Sequence, residues 1–372
     1  MKVKFDRPAN EPHSSLHQIL KQRVNRYFKL NHISQKATPQ VWLKALTLFL
    51  GYLGPYFVIL LVPMPGYVMW GLCLVMGIAL AGIGMSVMHD ACHGAFSKRP
   101  KINTFLGYSM NLIGGNKFNW MVQHNVKHHT YTNIFGADED LHNGDVIRLS
   151  PHSTWYPIHK FQHIYCWFLY LLGTISWVTI KDFRQFKVIQ TEMNNSKKQY
   201  RSELTILILS KILYYLYMVV IPLMVLDVPW WYILIGFITI HFVAGFILSI
   251  TFQLAHVVEQ NEHHSLHPNP KMPDSWIVHQ IKTTANFSRK SPLLNWYLGG
   301  LNFQIEHHLF PQICHVHYKK ISRIVRKTVQ EYGLSYYEHA TMAQAIQSHY
   351  RTLRDYSFNP EPVMDSSHTS NL

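Results

Sequence analysis

Acidic residues are scarce in this sequence: 20 Asp and Glu stand against 34 Lys and Arg among 372 residues, a formal net charge of +14. So small a supply of carboxylates argues against a carboxylate-bridged metal site. Cysteine is scarcer still, and Cys73, Cys92, Cys166 and Cys314 show no paired spacing, which disfavours a disulfide framework. The N-terminus opens on polar and basic residues instead of a short apolar run, so no signal peptide is expected. Internal repeats are absent, and no stretch reads as a soluble domain appended at either end.

What the chain does have is long apolar runs. Residues 41–63, 67–87, 204–226 and 231–254 each approach the roughly 20 residues needed to cross a bilayer, with at most one or two ionisable side chains apiece. Buried helices of a large soluble protein are the competing reading, and four such runs argue against it. A shorter run, 164–180, is marginal and is expected to lie in the interface or pack inside the protein. The short turns at 63–66 and 227–230 pair the four runs into two antiparallel hairpins. Segments 1–40, 88–203 and 255–372 then share one side, and they hold nearly all the Lys and Arg. The positive-inside rule puts that side, with both termini, in the cytosol. This topology accounts for the basic charge without a nucleic acid.

The predicted fold is all-α: a polytopic membrane protein of about four transmembrane helices under a cytosolic helical cap. It forms one membrane-embedded domain over residues 1–358, with the cap at 88–203 and 255–358 and a disordered tail at 359–372. In the N-terminal amphipathic segment 1–40, Leu16, Ile19, Leu20, Val24 and Phe28 share one helical face. That face suits a basic helix on an anionic membrane, or an ordinary docked helix.

Histidine is abundant, with 25 copies. His13, His17, His32, His339, His349 and His368 lie in polar terminal segments and ask for no role. Three clusters do. His89 and His93 are spaced to project from one face of a helix leaving the membrane. His124 and His128 repeat that spacing and His129 follows; adjacent helical residues diverge by about 100°, so His128 and His129 need not serve one metal. In the third cluster Gln304 and His308 share a face and His307 diverges. Imidazole suits Zn, Cu, Fe and Ni, and seven histidines are too many for one tetrahedral zinc. They suggest two metal ions with positions left for dioxygen.

HDACH at 89–93, HNVKHH at 124–129 and QIEHH at 304–308 resemble the three histidine boxes of the integral-membrane fatty acid desaturases, and the likeness runs from about residue 40 to about residue 320. It implies an O2-dependent oxidoreductase that introduces a double bond into a fatty acyl chain, carried by CoA or lipid, at two non-haem Fe ions. It also implies a further ligand just beyond the last membrane helix, where His256 stands. The glutamine opening the third box resembles the front-end subgroup, which inserts its double bond between the carboxyl end and an existing one. A neutral amide is a poorer ligand than imidazole, so Gln304 is expected to bind weakly, through water, or not at all. Many front-end members carry a fused cytochrome b5 domain with an HPGG motif. This chain lacks that motif, so its electrons are expected from a separate ferredoxin or cytochrome b5 type of donor.

Asp90, Asp138, Asp140 and Glu306 are candidates to orient the metal-binding rings, Asp90 also as a weak ligand; helix capping is an equal reading for Asp138 and Asp140. His263 and His264 are expected to be non-ligands, and His315 and His317 to be surface residues or, following the third box closely, supports behind its ligands. The stretch 102–120 is a candidate for part of the acyl tunnel, or ordinary core. The rival readings are a related di-iron membrane hydroxylase, a sphingolipid desaturase and, from another class, a membrane metal transporter, which should carry polar groups within several spans.

Overall fold

The computed structural model describes residues 3–5, 13, 15–141, 145–193, 196–266 and 271–358; the expected tail at 359–372 lies outside them. The chain is helical, with only three two-residue parallel pairings among the described residues. Four helices are long and apolar enough to cross a membrane: Pro39–Leu61, Gly66–Cys92, Lys197–Val225 and Trp230–His256. Proline punctuates them. Pro39 starts the first span and Pro65 and Pro229 directly precede the second and fourth, positions where the missing N–H costs no helical hydrogen bond.

The second span is central. Its most apolar window is 72% buried, against 28% and 22% for the first and third, which leave Leu43, Leu46 and Leu50 or Leu209 and Leu213 exposed for lipid. Lipid offers no hydrophobic drive for helix association, so close packing of small residues has to supply it. A Cβ on Gly77 would lie 2.7 Å from the Ile240 carbonyl oxygen of the fourth span, a contact only glycine permits. The second and fourth spans both run past their apolar runs, to Cys92 and His256, so His89 and His256 sit on continuous helix and not in a separate cap.

The run 164–180 is not a straight span. It belongs to two helices, Pro157–Leu171 and Gly173–Glu192, bent by 59° where they meet. Gly245 lets the fourth span press against the Leu171 carbonyl at that bend. The N-terminal helix Leu16–Leu30 is docked, not laid on a membrane: Leu16, Leu20, Val24 and Phe28 are buried, the first two with Ile277, Ile281, Ile305 and Val325. Each such side chain contributes about 1.5–3 kcal/mol. That cluster also holds the short helix Gln304–Leu309, whose six residues are all buried. The chain reaches it through Gly299 and Gly300, at φ +60 and +71. A Cβ at Gly299 would collide with the Met85 carbonyl oxygen. All four cysteines are buried and free.

Candidate metal centre

Helix geometry just before each of the first two clusters is wider than α. Residues Gly84–Met88 form a π-helical turn ahead of His89, and Met121–His128 form a longer one that contains His124 and His128; such turns are frequent at functional sites. The π turn changes which histidines meet. In an α-helix His124 and His128 would share a face. Here His124 and His129, five apart, bring their Nε2 atoms within 3.2 Å, and His124 Nε2 is 3.1 Å from His89 Nε2.

Two groups of ring nitrogens result, each set within 4.8 Å of one another: His89, His93, His124 and His307, and His128, His256 and His308. His129 lies between them, grouped with His307 and His308, and His124 also groups with His128 and Asp140. The three boxes and the fourth span therefore converge on one place. Of the eight histidines, seven are buried and His93 is partly exposed.

The orientation of the rings is the informative feature. Nε2 of His93, His128, His256, His307 and His308 is buried without a hydrogen-bond partner. The opposite nitrogen of three of these rings donates outward: His128 Nδ1 to Asp138 (3.0 Å), His308 Nδ1 to the Gln280 amide oxygen (2.8 Å) and His256 Nδ1 to the Thr283 carbonyl (3.4 Å); His307 Nδ1 is hydrogen-bonded with the Tyr318 hydroxyl (3.3 Å). Fixing one nitrogen as N–H leaves a lone pair on the other, which is how ligating histidines are held. An inward set of unpartnered, buried Nε2 atoms fits a metal pair. Burial, and then mutual repulsion, push His93, His124, His129, His307 and His308 well below the usual histidine range, so these rings stay neutral and available. His128 is the exception. Burial opposes its charge, but Asp138 and Asp140 outweigh burial and raise it to about 9, so a metal there must displace a proton.

Other expectations need correction. Among the four carboxylates, Asp138 turns to His128 and also accepts the backbone N–H of Asn133 and Asp140, so it both orients a ring and caps a turn. Asp140 comes within 3.3 Å of the same ring. Asp90 pairs with His315 Nδ1 at 2.7 Å and lies 4.0 Å from His89 Nδ1. Glu306 accepts from Asn286 and Tyr336, and burial pushes it up to about 7. His315 and His317 are buried, not surface residues; Lys44 Nζ lies 3.3 Å from His315 Nε2. His349, assigned no role from its polar surroundings, is fully buried between the Tyr170 hydroxyl and the Val257 carbonyl. His263 and His264 join no metal-sized group among the described residues. Both amide atoms of Gln304 are buried without a partner.

A cavity of about 350 Å³ reaches the second group, lined by His124, His128, Asp138, Asp140, Lys181 and His256 among others. Through Trp120, Thr174, Trp177, Leu248 and Phe252 it shares its walls with a narrower apolar pocket beneath His89. Met110, Ile113, Gly115 and Trp120 of the stretch 102–120 line that pocket; the rest of the stretch does not.

The profile of the fatty acid desaturase family matches residues 65–340. The chain is 36% identical over 339 residues to an sn-1 linoleoyl-lipid 6-desaturase of Synechocystis sp., covering 90% of this chain and 93% of that one. It is 33% identical to the protein of the same description in Arthrospira platensis, covering 92% of each. An acyl-lipid (8-3)-desaturase of Physcomitrium patens is also 33% identical, over 93% of this chain and 72% of that one.

Proposed function

Since this chain belongs to the fatty acid desaturase family and is an oxidoreductase acting on fatty acyl lipids, we propose that it holds two iron ions and uses O2 to desaturate a lipid-linked chain with front-end selectivity. One iron would be held by His89, His93, His124 and His307, the other by His128, His256 and His308, with His129 at the seam. The observation that carries this reading is the set of buried, unpartnered Nε2 atoms whose Nδ1 partners face outward. Bound there, the metal pair supplies the activation of dioxygen needed to remove hydrogen from an unactivated methylene. The protein's own work is to fix the rings, exclude bulk water and hold one C–C bond of the acyl chain beside them. Asp138, Gln280 and Thr283 fix the rings. The cavity of about 350 Å³ that reaches His124, His128 and His256 would hold the acyl chain, with Lys181 in its wall available to the polar head.

Front-end selectivity rests on Gln304 and on the relatives' descriptions as 6- and (8-3)-desaturases. A separate electron donor of the ferredoxin or cytochrome b5 type completes this reading. The distribution of Lys and Arg supports cytosolic termini and a cytosolic active site. Replacing His93, His128 or His308 by Ala is expected to abolish desaturation and remove iron while the protein still purifies folded, because the fold rests on apolar helices. His263→Ala should retain both. Iron content and double-bond position in lipids of a desaturase-null host are the measurements. Full iron occupancy in the three variants would end this ligand assignment.

A further inference from the structure

Desaturation by O2 balances only with two electrons from outside: the substrate methylene pair gives two electrons and two protons, a donor gives two more electrons, solvent gives two protons, and two waters leave. The donor must therefore approach the metal centre from some face. The cavity of about 350 Å³, lined by Asp138, Asp140 and Lys181 among others, is taken by the substrate in the desaturase reading. A second opening lies elsewhere. It is a pocket of about 430 Å³ lined by Lys36, Cys92, His93, Lys98, Asn103 and Lys117 among others. His93 is the one candidate ligand with solvent exposure, and it forms part of this wall.

The charge around that opening is of one sign. No acidic residue occurs between Asp90 and Asp138, whereas Lys98, Arg99, Lys101, Lys117 and Lys127 do. Lys98, Arg99 and Lys101 are exposed. The carboxylates that reach the rim are few: Glu203 acts electrostatically on Lys117, and buried Asp90 on Lys36. Lys127 is neutralised away from the pocket by Glu139 and Glu192. Lys36 donates to the Gly94 and Gln312 carbonyls and so braces the loop that follows His93. The exposed cations at 98, 99 and 101 have no such structural duty among the described contacts.

Resting on the desaturase reading above, we propose that this basic rim is the docking surface for an acidic one-electron carrier protein, and that electrons reach the metal centre through His93. Electrostatic complementarity at a rim acts mainly on encounter rate and salt dependence. Anionic lipid headgroups are the competing occupant, but lipid binding gives no reason for the basic rim to surround an opening walled by His93.

The test uses the full iron-loaded enzyme in neutral phosphatidylcholine nanodiscs. The variant is the triple replacement Lys98→Glu, Arg99→Glu, Lys101→Glu, which leaves every residue assigned to the metal centre untouched. Reduced [2Fe–2S] ferredoxin and reduced cytochrome b5 serve in turn as donor, and dithionite-reduced enzyme in single turnover serves as the donor-free arm. The expected result is a tenfold or larger rise in the KM for the protein donor, loss of its salt dependence, and unchanged single-turnover product. The milder pair Lys98→Gln, Lys101→Gln should raise that KM two- to threefold. A donor KM within twofold of the parent for both variants, with single turnover intact, overturns the docking site; a variant whose only change is weaker recruitment to phosphatidylglycerol vesicles assigns the rim to lipid instead. If the parent enzyme forms no double bond even with dithionite, the desaturase reading fails and the docking proposal falls with it.

Discussion

Replacing Asp138 by Asn probes the metal centre without touching a ligand. Asp138 sits 1% exposed and receives three donors: His128 Nδ1 at 3.0 Å, the Asn133 N–H at 3.0 Å and the Asp140 N–H at 3.0 Å. Two carboxylate oxygens satisfy all three. An asparagine has one acceptor oxygen, and its NH2 group must face at least one of those donors. If the oxygen stays with the backbone, the amide opposes the His128 N–H and the ring turns or changes tautomer. If the oxygen follows His128, the turn at 133–140 loses its cap, at roughly 1 kcal/mol. Either way the negative charge that offsets a cation at His128 is gone. Groups of this kind typically contribute 10–100-fold in metal affinity or activity, or about 1.4–2.8 kcal/mol. Anaerobic ferrous titration of purified protein should therefore show one of two sites weakened by that factor, the His89 group retaining its iron, with desaturation falling in parallel and Tm changing little. Asp140→Asn, at 3.3 Å from the same ring and with its side chain 33% exposed, should change affinity less than threefold. Two sites of parental affinity in Asp138→Asn would refute the claim that this carboxylate holds His128 for a metal.

Gln304→Ala should weaken one iron site or shift the position of the new double bond, because both of its amide atoms are buried without a protein partner; unchanged iron and unchanged products would remove its special role, and Gln304→His should retain iron if the amide oxygen ligates. Lys211→Met should lower Tm sharply in detergent, by the equivalent of about 3–5 kcal/mol, since Lys211 in the third span is buried and donates to Asp182 (2.6 Å), the Gly114 carbonyl (2.6 Å) and the Trp177 carbonyl (2.9 Å). Adding Asp182→Asn should recover part of that loss, and a Tm within a degree of the parent for Lys211→Met would show that the pair carries no stability.

What could be read from residue order alone follows from what is local. Apolar runs and histidine clusters are patterns within a few dozen residues, so the four spans, the docked face of Leu16–Leu30 and the convergent boxes were all visible in outline. The helices outrun the apolar runs, because a helix does not stop where hydrophobicity does: Gly66–Cys92 carries His89 and Asp90 inside it. Asp90 adjoins His89 in sequence and comes within 4.0 Å of its Nδ1, but its shorter contact, 2.7 Å to His315 Nδ1, joins residues 225 apart and has no local signal. The pairing of His124 with His129 was invisible because it depends on a π turn, and nothing in MVQHNVKH marks a five-residue period in advance. Ring-orienting partners sort by chemical type. Asp138, a carboxylate ten residues from His128, was found. Gln280, 28 residues from His308, and Tyr318, only eleven from His307, were not. A hydrogen bond to a ring needs only one oxygen of any kind, so carboxylate scarcity told nothing about where Gln280, Thr283 and Tyr318 would supply it. The same scarcity did carry information on charge: with so few acids in the chain, the two beside His128 set the electrostatics of that histidine group, and the acid-free stretch between Asp90 and Asp138 leaves the rim beside His93 basic.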